Sequence, residues 1–154
     1  MNINQLKNNK MTTTNKPGAG FMIIAVLALI WNLIGVFFWT SENFLMTDEV
    51  KNALPPEQLE LINNAPSWGV IVYAIAVFAG VLASIFLLMR KKSAVPLFAL
   101  SLIAILIQMG YWIFGTAAME VYGPQAVVMP IIVILIALFL YFFSKTQAAK
   151  GILN

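Results

Sequence analysis

The chain has 154 residues, 61% of them hydrophobic and 10% charged, with nine Lys and Arg against six Asp and Glu for a formal net charge of +3. Globular domains are roughly half apolar and a quarter charged, so this composition excludes an ordinary soluble domain and describes one integral membrane domain. The absence of cysteine and histidine excludes disulfides, thiol nucleophiles, thiolate metal sites and imidazole proton shuttles; no enzyme activity, cofactor or metal is expected.

Residues 1–19 read as a cytoplasmic tail, and the stretch Met1 to Asn15, rich in Asn, Thr and Lys, as disordered. The first apolar run, 20–41, would extend roughly 33 Å as a helix and cover a hydrocarbon core of about 30 Å. A secretory signal has an apolar stretch of only about 7–15 residues and ends in small side chains. This run ends Phe37-Phe38-Trp39 and is read as an uncleaved first transmembrane helix.

An outer loop with short interfacial helices is expected over 42–67. Thr47 is placed to cap a short helix with Asp48 and Glu49 in its first turn, and Pro55-Pro56 ends or kinks it. A second short helix follows, with Leu59 and Ile62 on one face, as suits a segment lying on the membrane or over the mouth of a bundle.

The second transmembrane helix is assigned to 68–89 and the third to 95–116. The basic turn between them, 90–94, is so short that it forces an antiparallel hairpin, and Pro96 falls in the first turn of its helix, where proline is tolerated. Residues 117–125 form a second outer loop, 126–144 the fourth helix, and 145–154 a cytoplasmic tail. The expected fold is therefore all-α, an integral membrane four-helix antiparallel bundle.

Charge fixes the expected orientation. Lys7, Lys10, Lys16, Arg90, Lys91, Lys92, Lys145 and Lys150 fall on one side of the four runs, whereas all six acids and Lys51 fall on the other. Short loops rich in Lys and Arg stay cytoplasmic during insertion, so Lys16, Arg90, Lys91, Lys92 and Lys145 act as topology determinants and put both termini inside. Trp39, Phe44, Trp68, Tyr111, Trp112 and Tyr122 gather toward the outer interface as an aromatic belt. Basic residues placed this way face lipid headgroups, and no nucleic-acid partner is expected; the lipid bilayer is the expected partner, with a homo-oligomer or a membrane protein as further possibilities.

In lipid the hydrophobic effect does not drive helices together, so association depends on small residues and polar side chains. Ala25, Ala28, Asn32 and Gly35 share one face of the first helix; Ala76, Gly80 and Ser84 make a stripe on the second; Ser101, Ala104, Gln108, Tyr111 and Gly115 make one on the third. The fourth helix is almost uniformly bulky and is expected to be the most lipid-exposed. Asn32 and Gln108 are the amides deep in the membrane, each about 18–20 Å from the inner end of its helix. They are expected to point into the bundle at a similar depth. With Ser84, Ser101, Tyr73 and Tyr111 they form either a polar solute site or a set of contacts that hold helices together.

Trp31-Asn32-Leu33-Ile34-Gly35, Met46-Thr47 followed by Glu49, Leu87-Leu88-Met89-Arg90-Lys91, and Pro96-Leu97-Phe98-Ala99-Leu100-Ser101-Leu102 with Gln108 together resemble a group of small four-helix bacterial inner-membrane proteins often labelled sugar transporter. The resemblance runs from Phe21 to about Gln108 and brings no catalytic or ligand-binding residues with it. It implies a bacterial cytoplasmic membrane and a sugar-like solute. Two functions follow as expectations: a facilitated transporter or pore component for a neutral polar solute, since no ionisable group lies within the runs to couple an ion, or a non-transporting accessory or scaffold subunit that meets a partner through the 42–67 loop.

Overall fold

The computed structural model describes residues 16–154; the expected disorder of Met1 to Asn15 lies outside the described residues. Within them the regular structure is helical: α1 (Ala19–Thr40), α2 (Asp48–Asn52), α3 (Pro56–Asn63), α4 (Ser67–Leu88), α5 (Ala94–Gly115), α6 (Ala118–Tyr122) and α7 (Gln125–Ala149). Of these, α1, α4, α5 and α7 are long and apolar enough to cross a membrane.

Local chemistry explains most of the boundaries. The Thr47 hydroxyl accepts from the Val50 amide at 3.4 Å and opens α2, as expected. Pro56 sits at the start of α3, where its missing N–H costs nothing. At the end of α4, Arg90 takes a left-handed backbone (φ 59°). That bend lets the Arg90 amide donate to the Leu87 carbonyl at 2.9 Å and the Lys91 amide to the Phe86 carbonyl at 2.7 Å, covering the last carbonyls of the helix.

Two ends depart from the sequence reading. The first helix does not stop at the loop expected from residue 42: α1 continues into a π-helical turn, Ser41–Leu45, and the Asn43 amide group donates back to the Trp39 carbonyl at 2.8 Å. At the other end, α7 runs past the apolar stretch to Ala149, because Lys145, Thr146, Gln147, Ala148 and Ala149 change the polarity of the chain without breaking its helix. Gly151, at φ 70°, then reverses the direction.

The reversal folds 152–154 onto the turn between α4 and α5, where a tail had been expected. The Lys92 amide donates to the Asn154 carbonyl at 2.9 Å, the Asn154 amide to the Arg90 carbonyl at 2.6 Å, and the Arg90 Nε to the Ile152 carbonyl at 3.0 Å. Leu153 is 1% exposed and belongs to one apolar cluster with Phe21, Ala25, Ala28, Ala83, Leu87, Ala94, Phe98 and Leu140. That cluster joins the start of α1, the end of α4, the start of α5 and the last turns of α7, so the basic segments meet at one end of the molecule.

Helix α4 is the centre of the bundle, while α1, α5 and α7 are all much less enclosed, so α7, expected to be the most exposed, does not stand apart from α1 and α5. The reason lies in side-chain size. Helix α4 carries Gly69, Ala76, Ala79, Gly80, Ala83 and Ser84, all buried, on two faces, so α1 and α5 both approach it closely; α7 then packs on α5. Bulky residues keep α1 and α7 apart except at the basic end, where Phe21 and Phe143 stack with ring centroids 6.0 Å apart.

Candidate functional site

The polar groups of the apolar spans meet where α1, α4 and α5 come together. Asn32 sits on a backbone cradle at Gly80, where a Cβ would overlap the amide oxygen of Asn32; only glycine leaves that space. The Asn32 Nδ2 donates to the Ala28 carbonyl at 2.8 Å and to the Ser84 hydroxyl at 3.2 Å. In turn the Ser84 hydroxyl donates to the Gly80 carbonyl at 2.8 Å, and the Ser101 hydroxyl, from α5, donates to the Ala76 carbonyl at 2.6 Å.

Every donor of this cluster is thereby used inside the protein. An amide group has two N–H bonds and each serine one O–H, so what remains is acceptor capacity on oxygen. Asn32 and Ser101 line a cavity of about 10 Å³ together with Trp31, Phe98, Ile105 and Leu140. A site of that size with two polar walls has room for one water molecule. A sugar does not fit.

Gln108 takes no part in the cluster. It lies against Gly69 near the first turn of α4, where an added Cβ would stand 3.7 Å from its Oε1, and that buried oxygen has no hydrogen-bond partner. The equal depth that suggested an Asn32–Gln108 pair is not enough, because the helices bring Asn32 to Ser84 and Gln108 to Gly69. Tyr111 stacks edge-on with Trp68 at 5.1 Å between centroids, and Tyr73 is half-buried. The six candidate polar residues thus divide into a trio, Asn32, Ser84 and Ser101, and three side chains nearer the acidic end.

Most residues of the small-residue stripes are buried. Ala25, Ala28, Ala76 and Ala104 are buried, and a Cβ at Gly35 would come within 3.1 Å of the Val77 side chain. Gly115 is the exception: it closes α5 and is exposed, and the space beside it is filled by the ring of Tyr111 from its own helix. Among the basic residues expected to set topology, Lys16, Lys91, Lys92 and Lys145 are exposed, and the Lys145 ammonium lies 5.9 Å from the Tyr141 ring centroid. Arg90 has a structural task as well, through its bond to Ile152.

The sequence reading missed two features. One is the docking of 151–154; its signal was Gly151 directly after a helix-forming run and followed by Ile152 and Leu153, the pattern of a glycine helix stop with an apolar anchor. The other is a groove of about 360 Å³ between α1 and α7, walled by Ile24, Leu27, Ile30, Ile34, Phe139 and neighbouring residues, whose floor residues Trp31, Ile136 and Leu140 also wall the small cavity. Nothing in a one-dimensional pattern marks a gap between two helices. Among the described residues no acidic group converges to hold a metal ion.

No protein-family model matches the chain, and comparison with curated proteins and with solved structures likewise gives no match.

Proposed function

We propose that the protein is a multi-pass, non-transporting accessory or scaffold subunit of a bacterial cytoplasmic membrane, a four-helix antiparallel bundle with its basic end and both termini in the cytoplasm. The pairings of Ala76 with Ser101 and Gly69 with Gln108 support antiparallel α4 and α5, since positions early in one helix meet positions late in the other. The sorting of Lys16, Arg90, Lys91, Lys92 and Lys145 from Glu42, Asp48, Glu49, Glu57, Glu60 and Glu120 supports the orientation. Partner contact falls to the 42–67 loop, with α2 and α3 on the outer face.

One observation carries the functional part: the intramembrane polar trio spends its donors on its own backbone and side chains and leaves space for a single water. A facilitated path for a sugar-like solute would need sugar-sized space and free donors and acceptors along the bundle. Uptake of neutral sugars into proteoliposomes tests this. Background uptake by wild type and Asn32→Leu alike is the expected result, and uptake above background that Asn32→Leu abolishes would overturn the reading. Single cysteines at positions 48 and 92, on a background free of native thiols, test the topology: an impermeant reagent outside the cell should label 48 and spare 92.

A further inference from the structure

The α1–α7 groove is lined by exposed side chains of both helices, Leu27, Ile30, Ile34 and Phe139 among them. Its walls are apolar, from Ile24 to Ile34 on one side and Ile136 to Leu140 on the other, so its occupant is hydrocarbon or another apolar protein segment. A second copy in the same orientation would set its own basic end against this one, a like-charge contact that favours hydrocarbon, and the groove offers about 360 Å³. That space is within the range of sites that hold a single small molecule, about 300–1,000 Å³, and suits one flexible chain.

Position and charge narrow the occupant further. The groove begins about 8 Å along α1 from its basic end and reaches roughly 22 Å, a depth available to an acyl chain entering from the leaflet on that side. At the basic end Lys16 precedes α1, Lys145 lies in the last turns of α7, and Lys91 and Lys92 stand in the turn between α4 and α5, all four exposed. Cation clusters flanking transmembrane helices attract anionic headgroups at about 1 kcal/mol per charge near the surface. Between them, Phe21 stacked on Phe143 fixes the helices at the entrance while leaving them apart above it.

We infer that the α1–α7 groove is a specific site for one anionic phospholipid, its acyl chain lying between α1 and α7 and its headgroup at the lysine-rich end. This rests on the membrane reading of the chain but not on its role as a non-transporting subunit. The tail would cover Trp31, Ile136 and Leu140, which also wall the one-water cavity.

Native mass spectrometry of the full chain, taken from nanodiscs of phosphatidylglycerol or of phosphatidylcholine with identical acyl chains, tests the site. Wild type should retain one phosphatidylglycerol and no phosphatidylcholine. Leu27→Trp, which fills the groove at an exposed position, should lose the bound lipid, and Leu100→Trp, the same change at an exposed position of α5 outside the groove, should keep it. Lys16→Gln combined with Lys91→Gln and Lys92→Gln, all at exposed positions, should abolish the preference for the anionic headgroup while leaving the groove intact. Equal retention of both lipids by wild type, no retention at all, undiminished retention by Leu27→Trp, or a dimer of chains that Leu27→Trp dissociates would each overturn the proposal, the last in favour of a second copy in the groove. Sugar uptake by the same preparation reports separately on the functional reading.

Discussion

Helix α1 meets its two neighbours by opposite means. Toward α4 it presents Ala28, Asn32 and Gly35, and the contact is close enough that a methyl group at Gly80 would overlap the Asn32 amide and one at Gly35 would press on the Val77 side chain. Toward α7 it presents Leu27, Ile30, Trp31 and Ile34, and the two helices stay apart over a groove of about 360 Å³, joined at Phe21 and Phe143. Both faces are apolar enough for a membrane. The difference shows that in lipid, apolar surface alone does not bring helices together, because hydrocarbon solvates it as well as another helix does; small residues and a hydrogen-bonded amide do.

The contrast can be broken at several points. Gly80→Leu drives a side chain into the Asn32 amide, and overpacking of this kind should lower unfolding stability in mixed micelles by about 3 kcal/mol. Leu153→Ala opens the one place where α1 and α7 share a core. Loss of a buried leucine should cost about 2 kcal/mol, read from thermal unfolding in detergent. The Asn32→Leu change removes the interhelical bond to Ser84 and should cost about 1 kcal/mol, within the range measured for polar contacts in membrane bundles.

Smaller effects sharpen it. Gln108→Met discards a buried acceptor that has no donor, and should leave stability within about 0.5 kcal/mol of wild type or raise it. Leu27→Trp, on the groove side of the same helix as Asn32, should change unfolding stability by less than about 0.5 kcal/mol, since it adds bulk where there is open space. A loss as large as that of Gly80→Leu would mean that the groove is a packed seam.

Much of this architecture was legible in the chain. Four apolar runs of membrane-spanning length gave four long helices, Thr47 capped α2, and the small-residue stripes marked which faces would be buried. Periodicity reports which side of a helix is unusual but not which helix it will meet, so Asn32 and Gln108 could be placed at one depth and not assigned partners. The same limit hid the rank of exposure: α7 looked the most lipid-facing because its residues are bulky, whereas α1, α5 and α7 are enclosed to a similar degree and α4 alone is central. The end of α7 was misplaced for a different reason. Hydropathy falls at Lys145, but helix geometry persists to Gly151, where the backbone can change hand.

The account stands on Asn32 being a structural clasp between α1 and α4. Two double-mutant cycles under identical unfolding conditions address it: Asn32→Leu with Ser84→Ala, and Asn32→Leu with Gln108→Leu. The first should show a coupling near 0.6 kcal/mol, about the average for interhelical hydrogen bonds in a membrane, and the second should be additive. Coupling of Asn32 to Gln108 with none to Ser84 would contradict the arrangement.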